Sequence, residues 1–595
     1  MQFLWVFLAY AGKKLYLCAL FYAYMRKVYF FLLLLCMATS LWATPAERST
    51  CTLRLVDGTL VEAMLCGDEY ASWYETADGR VIIETEEGYV LQLESSAEVR
   101  QAARKMRAAA ARRSSSQAAA VLPALGSPKI PVILTNFQDS VFHVKPTEAE
   151  LCAYYDLYCN GTRDGQRYTG HGSYGAIRDY YSDQSNGQFT PEFEIIGTVT
   201  LDHEIAYYGA DSPSKDAKFT DYCREALTKA LAAYPEVDWM RFNNRGKNRV
   251  DMVFFVFAGC GQHVSGVPST TLWPKWTTIG VTVNGITFNS ALCGSENRPV
   301  KETIGGKKVI VGAIPDGVGV LCHEMNHALG LPDFYDYNLE CFGMDLWSIM
   351  DFGQYGNNGF HPSAMTSYER EFMGWLQIEE LTEAGWLTLD PLCTGGKGYK
   401  IVNPENSNEY YVIENRQPVG WDEGICRYGH GLMVTHVDYD ADRWSSNTVN
   451  TLRKTGPDHQ RMTIFAANNR YIGTCVESAS SADLMLTWKG NLYPFVPDDG
   501  EAQRNDSLTA YSTPAAIVYT AAGFMNKDLH GICENADKSV SVYFGEGYEA
   551  AVGVAALPHE GMAAKRRDIY DLTGRRVARP AKGVYIINGK KYFIK

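Results

Sequence analysis

Two histidines four positions apart, His323 and His327, with Glu324 beside the first and Asp333 just beyond Gly330, constrain this chain more than anything else in it. Side chains four apart share one face of an α-helix, so both imidazoles reach a common point only if the segment is helical. The helix is expected to start near residues 315–316 and to end at Gly330, which can take the positive φ that terminates it. The chain must then turn so that Asp333 comes back toward the same point. Imidazole and carboxylate donors suit zinc, which in a reactive site takes three protein ligands and keeps a place for water. Glu324 is placed to polarise that water. The rival reading is an amphipathic helix with two surface histidines; it leaves the clustered His, Glu, His and Asp without a cation to offset their electrostatic cost.

At 595 residues the chain is too long for one core, and roughly three or four folded units are expected. An apolar fraction of 46% with 21% charged residues is ordinary globular composition. A formal charge of −13, with no basic face in the folded regions, argues against a nucleic-acid partner. Near the start, Arg26 and Lys27 precede the apolar run 28–37 and small residues up to Ala43. That order is a secretory signal peptide with a cut near Ala43 and Met25 as its start. Residues 1–24, apolar but broken by Lys13 and Lys14, leave a two-part membrane anchor as the alternative. Of 15 cysteines, Cys18 and Cys36 fall in the segment expected to be removed; the remaining odd number requires at least one thiol, and no CxxC pair occurs.

Residues 44–99 read as short strands and turns, with a hairpin around Asp57 and Gly58 and turn signals at Asp78-Gly79 and Glu87-Gly88. From 99 to 127 the composition shifts to Ala, Arg and Ser, an exposed linker. A strand is expected at 129–137, helices at 173–181 and 220–234, and a central strand at 250–258. After about 379 the helical period disappears, and the runs 409–416, 431–438, 483–488, 516–519 and 539–544 suggest a β-sandwich. The boundaries that follow are 1–43, 44–127, 128–378, 379–547, a linker at 548–562 and a small β unit at 563–595, an α+β chain.

Residues 323–336, HEMNHALGLPDFYD, resemble the immune inhibitor A family of secreted bacterial metalloproteases, a metzincin-like group whose zinc motif ends in Asp. Residues 346–351, LWSIMD, resemble that group's Met-turn, a methionine loop beneath the metal, and 361–375, 172–189 and 409–422 also fit. The resemblance covers roughly 50–545, and the zinc motif with the Met-turn decides function. It implies a metzincin-like catalytic domain with His323, His327 and Asp333 on zinc, Glu324 as general base, Met350 as a structural floor and polypeptides as substrates. In some metzincins a tyrosine two places after the methionine holds the transition state. Phe352 stands there in this chain, with Tyr355 the nearest substitute.

The resemblance also makes 44–127 a propeptide that covers the cleft until a cut near Arg112 and Arg113. Cys66 or Asp68 would ligate the metal in the latent form, the alternative for Cys66 being a disulfide to Cys51. Relatives often carry an Asp-rich calcium turn where this chain has Arg245 and Lys247, whose charges repel a divalent ion. Asp438, Asp440 and Asp442 are the remaining calcium candidates, or else a solvated strand end. Residues 568–595, with turns at Thr573-Gly574 and Asn588-Gly589, are similar to C-terminal sorting domains of Bacteroidetes proteins. That likeness implies the outer-membrane secretion machinery as partner, a secreted or cell-surface location and a Gram-negative source. The expectation is a secreted zinc endopeptidase; the alternative is a cell-surface binding or adhesion protein on a protease-derived scaffold.

Overall fold

The computed structural model describes residues 41–595 apart from 86, 96–97, 100–101, 103–119, 163–165, 212–215, 339, 454–455, 471–484, 486, 498–503, 553–568, 572–582, 588–589 and 595. The expected signal peptide and start at Met25, and the Arg112–Arg113 cut, lie outside the described residues. Among the described residues, no helix is long and apolar enough to cross a membrane.

A mixed sheet carries the site. Its strands run β1 (Leu41–Ala43), β10 (Lys275–Val283), β11 (Ile286–Ile304), β9 (Val250–Cys260), β7 (Lys129–Asn136) and β8 (Glu192–Thr200), and β12 (Lys307–Pro315) pairs with β11. Strands β11, β9, β7 and β8 are parallel to one another, whereas β10 is antiparallel to β11 and β1 antiparallel to β10. The apolar run of β9 is buried from Val250 to Ala258, as expected of a strand covered on both faces. Val253, Phe255 and Phe257 pack with helix Phe219–Ala233 on one side. Phe254 and Val256 pack on the other with helices Ile177–Gln184 and Gly319–Ala328.

Two helices and three strands depart from the sequence reading. The histidine helix begins at Gly319, not at 315–316, because Pro315 still belongs to β12. Its first residue must be glycine: a Cβ there would lie 2.0 Å from the Gln354 carbonyl oxygen. The helix expected at 173–181 is shifted to Ile177–Gln184. Strands β10 to β12 were not foreseen at all, although Asn284 and Gly285, both at positive φ, form the two-residue hairpin turn between β10 and β11.

Residues 50–95 form a five-stranded antiparallel sheet, β2 (Thr50–Arg54), β3 (Leu60–Gly67), β4 (Ser72–Glu75), β5 (Arg80–Thr85) and β6 (Gly88–Ser95). Its core takes in Trp273 from the loop between β9 and β10. Beyond residue 378 lie two sheets: β13 (Glu379–Glu380), β15 (Tyr399–Asn403), β16 (Asn406–Arg416), β17 (Gly431–Asp438) and β18 (Met462–Ile464) in one, β14 (Gly385–Leu389), β20 (Val540–Phe544) and β19 (Leu529–Glu534) in the other. They share a core of Ile401, Tyr411, Ile413, Val434, Leu529, Ile532 and Val542. The opposite face of the first sheet, Tyr410, Val412, Met433 and Val437, joins the core of the histidine helix. Two expected strands are absent here. Described residues 485, 487 and 488 are helical, their turn closed by bonds from Gly490 and Asn491. Residues 516–519 make one bridge, Ile517 to Phe524, because local turns already take the amides of Ala516 and Val518. A separate compact unit begins at Gly545 and contains a three-stranded antiparallel sheet, β21 (Ile569–Asp571), β22 (Gly583–Ile587) and β23 (Lys590–Ile594).

Candidate active site

The histidine helix puts His323 and His327 one turn apart on its buried face. Gly330, at φ +104°, ends it, and the chain returns so that Asp333 Oδ1 lies 3.1 Å from His323 Nε2 and 3.3 Å from His327 Nε2. His323 Nδ1 is 2.7 Å from the Ile349 carbonyl oxygen and His327 Nδ1 is 2.8 Å from that of Leu331. A carbonyl only accepts, so each Nδ1 carries the proton and each Nε2 presents a lone pair. Two such lone pairs and a carboxylate oxygen, held within 4.8 Å of one another away from water, repel unless a cation joins them. Two imidazoles and one carboxylate suit zinc. Burial raises the Asp333 pKa, but His327 and His323 outweigh it and hold the carboxyl well below its usual range. Burial pushes the His323 imidazole down.

The third donor is held from two directions. Asp333 Oδ2 accepts from Tyr337 Oη and from Asn447 Nδ2, each at 2.6 Å, and the Asp333 amide donates to Asn447 Oδ1 at 2.7 Å. Met350 is fully buried in the core that the histidine helix shares, its carbonyl accepting from the Phe334 amide at 2.8 Å, and its neighbour Ile349 supplies the carbonyl that orients His323. This turn rests on Arg416, whose Nη1 donates to the Trp347 carbonyl at 3.1 Å while Asp422 accepts from Nε and Nη2. It also rests on Glu369, which accepts from Ser348 Oγ at 2.5 Å.

Glu324 faces the same space from the next helical position. The Trp276 amide on β10 donates to its Oε2 at 2.7 Å, and the Thr44 amide lies near enough to this carboxylate to favour its charged form. Its Oε1 takes part in no hydrogen bond among the described residues. Burial pushes its pKa well up, helped by Glu69 and Asp333 and opposed by the two amides.

The N-terminal residues lie along this cleft. In β1, Leu41 pairs with Thr277, Trp42 with Trp276 and Ala43 with Lys275, so β1 covers the edge that β10 would otherwise present. Hydrogen bonds hold the residues that follow: Trp273 Nε1 donates to the Thr44 carbonyl at 3.1 Å, Tyr355 Oη to the Pro45 carbonyl at 2.5 Å, and the Glu47 amide to the His263 carbonyl at 2.8 Å. Tyr355 thus reaches a peptide carbonyl in the cleft, whereas the Phe352 ring lies under the Arg48 guanidinium.

Cys66 and Asp68 stand outside the donor group. Asp68 Oδ1 accepts from the Tyr70 and Ala71 amides, and no disulfide joins Cys51 to Cys66 among the described residues. Glu69, the next residue, is the buried carboxylate that acts on Glu324 and Asp333. The calcium candidates do not converge: Asp438 Oδ2 accepts from His459 at 2.7 Å and Arg461 at 2.8 Å, and Asp440 caps helix Ala441–Ser445. A guanidinium and an imidazole stand where the cation was expected. Trp276, Tyr337, Asn447 and Thr44 escaped the sequence reading. No local pattern marks Asn447, whose partner Asp333 is 114 positions away.

Comparison with known proteins converges on the same region. Residues 121–378 match the family model described as Immune inhibitor A peptidase M6, catalytic domain. The pre-pro-metalloprotease PrtV of Vibrio cholerae serotype O1 is 26% identical over 237 residues, covering 35% of this chain and 25% of that protein. Immune inhibitor A of Bacillus thuringiensis subsp. alesti is likewise 26% identical over 237 residues, covering 34% of this chain and 33% of its own length. The chain thus spans only about a quarter to a third of the length of the curated relatives it matches. The fold that gathers His323, Glu324, His327 and Asp333, residues 121–378, is matched by the catalytic domain of the M6 peptidases.

Proposed function

We propose that this chain is the precursor of a secreted zinc endopeptidase, with residues 44–127 as a propeptide lying over the cleft. One observation carries the reading: both ligand histidines commit their Nδ1 protons to carbonyls and aim Nε2 at Asp333 Oδ1, with Glu324 beside them. The metzincin-like assignment rests on the aspartate that completes the site and on the buried methionine turn below it.

A polypeptide lies along β10 in place of β1, adding a strand to an edge through main-chain hydrogen bonds. His323, His327 and Asp333 would hold zinc, which would supply Lewis acidity toward the scissile carbonyl and the attacking water. Glu324 does the proton work. Its Oε2 stays with the Trp276 amide, while Oε1 takes a proton from the attacking water as the new C–O bond forms. As the C–N bond breaks, the same oxygen passes that proton to the leaving amine. In the precursor, buried Glu69 raises the proton affinity of Glu324. Removal of the propeptide takes away that carboxylate, and removal of residues 41–43 clears the edge of β10. Tyr355, which donates to the Pro45 carbonyl, positions the substrate backbone.

Residues 563–595 are proposed as the sorting module read by the outer-membrane secretion machinery of a Gram-negative cell, in keeping with a small antiparallel sheet whose edge strand β23 carries Lys590 and Lys591.

In the processed enzyme, Glu324→Ala is expected to keep its zinc and lose on the order of 10^2–10^4-fold in kcat/KM. His327→Ala is expected to lose both metal and turnover. Elemental zinc analysis beside hydrolysis of a quenched peptide checks both, and sustained turnover by the Glu324 variant would falsify the mechanism.

A further inference from the structure

Two charged side chains of the N-terminal segment are buried in the catalytic region next to the cleft. Arg298 Nη2 donates to both carboxylate oxygens of Glu47, at 2.6 and 2.5 Å, and its Nη1 donates to the Asn358 carbonyl at 2.7 Å. Arg48 Nη1 donates to Asp345 Oδ2 at 2.8 Å, and its guanidinium stacks 3.4 Å from the centre of the Phe352 ring. Arg298 is 5% exposed and Asp345 fully buried, with Asp345 Oδ1 taking no hydrogen bond among the described residues.

The register says where these pockets lie along a substrate. Trp42 and Ala43 pair with Trp276 and Lys275, the Trp276 amide is bonded to Glu324, and the Thr44 amide acts on the same carboxylate, the group that must deliver a proton to the leaving amine. Thr44 therefore holds the first position after the scissile bond, and β1, antiparallel to β10, holds the positions before it. Chain direction then makes Glu47 the fourth and Arg48 the fifth residue on the leaving-group side. Arg298 and Asp345 belong to the region that stays after processing. Once Glu47 and Arg48 depart, Asp345 loses the guanidinium that paired with it, and Arg298 keeps Asp316 at 3.9 Å but loses the carboxylate that made its short contacts.

We propose that the Arg298 pocket and the Asp345–Phe352 pocket are leaving-group-side subsites that select an acidic and then a basic side chain in the substrate. The inference rests on the peptidase reading and on departure of the propeptide. A carboxylate with both oxygens on one guanidinium nitrogen, and a guanidinium held by a carboxylate over an aromatic face, are charge-assisted, directional contacts suited to discrimination. If these ion pairs only anchor the propeptide, they leave no trace in what the processed enzyme cleaves.

The test uses the full chain after a cut near Arg112 and Arg113, with peptides carrying Glu, Gln or Lys at the fourth position and Arg, Gln or Glu at the fifth. The Glu–Arg peptide is expected to exceed the Lys–Glu peptide in kcat/KM by about tenfold or more. Arg298→Gln should collapse the fourth-position preference and Asp345→Asn the fifth; asparagine also tolerates the +48° φ at that position. Equal kcat/KM across the wild-type series, or preferences that survive both substitutions, overturns the proposal. A second measurement is independent of turnover: binding of a labelled peptide with the sequence of residues 44–50 to the processed Glu324→Ala protein. Replacing its glutamate or arginine by glutamine should weaken binding about tenfold, and unchanged affinity again overturns the proposal. Charge-dependent binding without hydrolysis of any peptide by the wild type would instead sink the peptidase reading and leave the pockets standing.

Discussion

Asn447 bonds Asp333 through both ends of its amide, so one side chain fixes the backbone and the carboxylate of the third donor. Removing such an outer partner lets the ligand swing without removing it. Asn447→Ala is expected to weaken zinc binding about 10–100-fold while the helix and both imidazoles stay in place. Competition with a chromophoric chelator reads the loss, and unchanged affinity rejects the role. Glu369, buried between Ser348 and Thr366, makes a different prediction. Burial lifts its pKa from 4.5 to about 7, against the donors that hold its oxygens. The folded chain therefore binds this proton more tightly than the unfolded one. Its contribution to stability is complete below pH 4.5 and is lost as pH rises through about 7. That difference amounts to at most about 3 kcal/mol. Thermal midpoints from pH 4.5 to 8 should fall more steeply in the wild type than in Glu369→Gln, and parallel curves refute it.

At the scale of elements, strand β10 matters most, and the sequence reading passed over it. His323, Glu324, His327 and Asp333 were legible because helical spacing and one glycine turn are local facts. The strand beside them was not, because Lys275, Trp276 and Thr277 acquire meaning only against β11 and the histidine helix, far away in sequence. The Asn284-Gly285 turn was the available signal. The strand proposed at 516–519 failed for the opposite reason: it looked right locally, yet turn bonds to Thr509 and Gly523 had already used its backbone. If residues 41–43 occupy the place of a substrate strand, backbone amides in 275–277 should exchange slowly in the full chain and markedly faster once those residues are removed. Hydrogen exchange across the cleavage decides this, and equal protection before and after would mean that the edge is not a substrate site.

At the scale of the molecule, the matched region 121–378 does not contain all that its site needs. Asn447 reaches Asp333 from beyond β17, and Arg416, the last residue of β16, holds the Trp347 carbonyl three residues before Met350. Arg416 is itself buried against Asp422 and Glu414, so a chain lacking 379–544 loses the buried ion pairs and the arginine together. It would also expose the apolar surface that Tyr410, Val412, Met433 and Val437 cover. At about 25 cal/mol per Å² of apolar surface, losing several such side chains is comparable with the whole stability of a domain. A chain ending at residue 378 is therefore expected to show no cooperative melting and no stoichiometric zinc. One ending at residue 544 keeps the first compact unit entire and should retain both. Calorimetry and metal analysis of the two truncations decide the matter: a sharp transition with bound zinc in the shorter chain would show that 121–378 builds its metal centre unaided, and Asn447 and Arg416 would then be accessories to it.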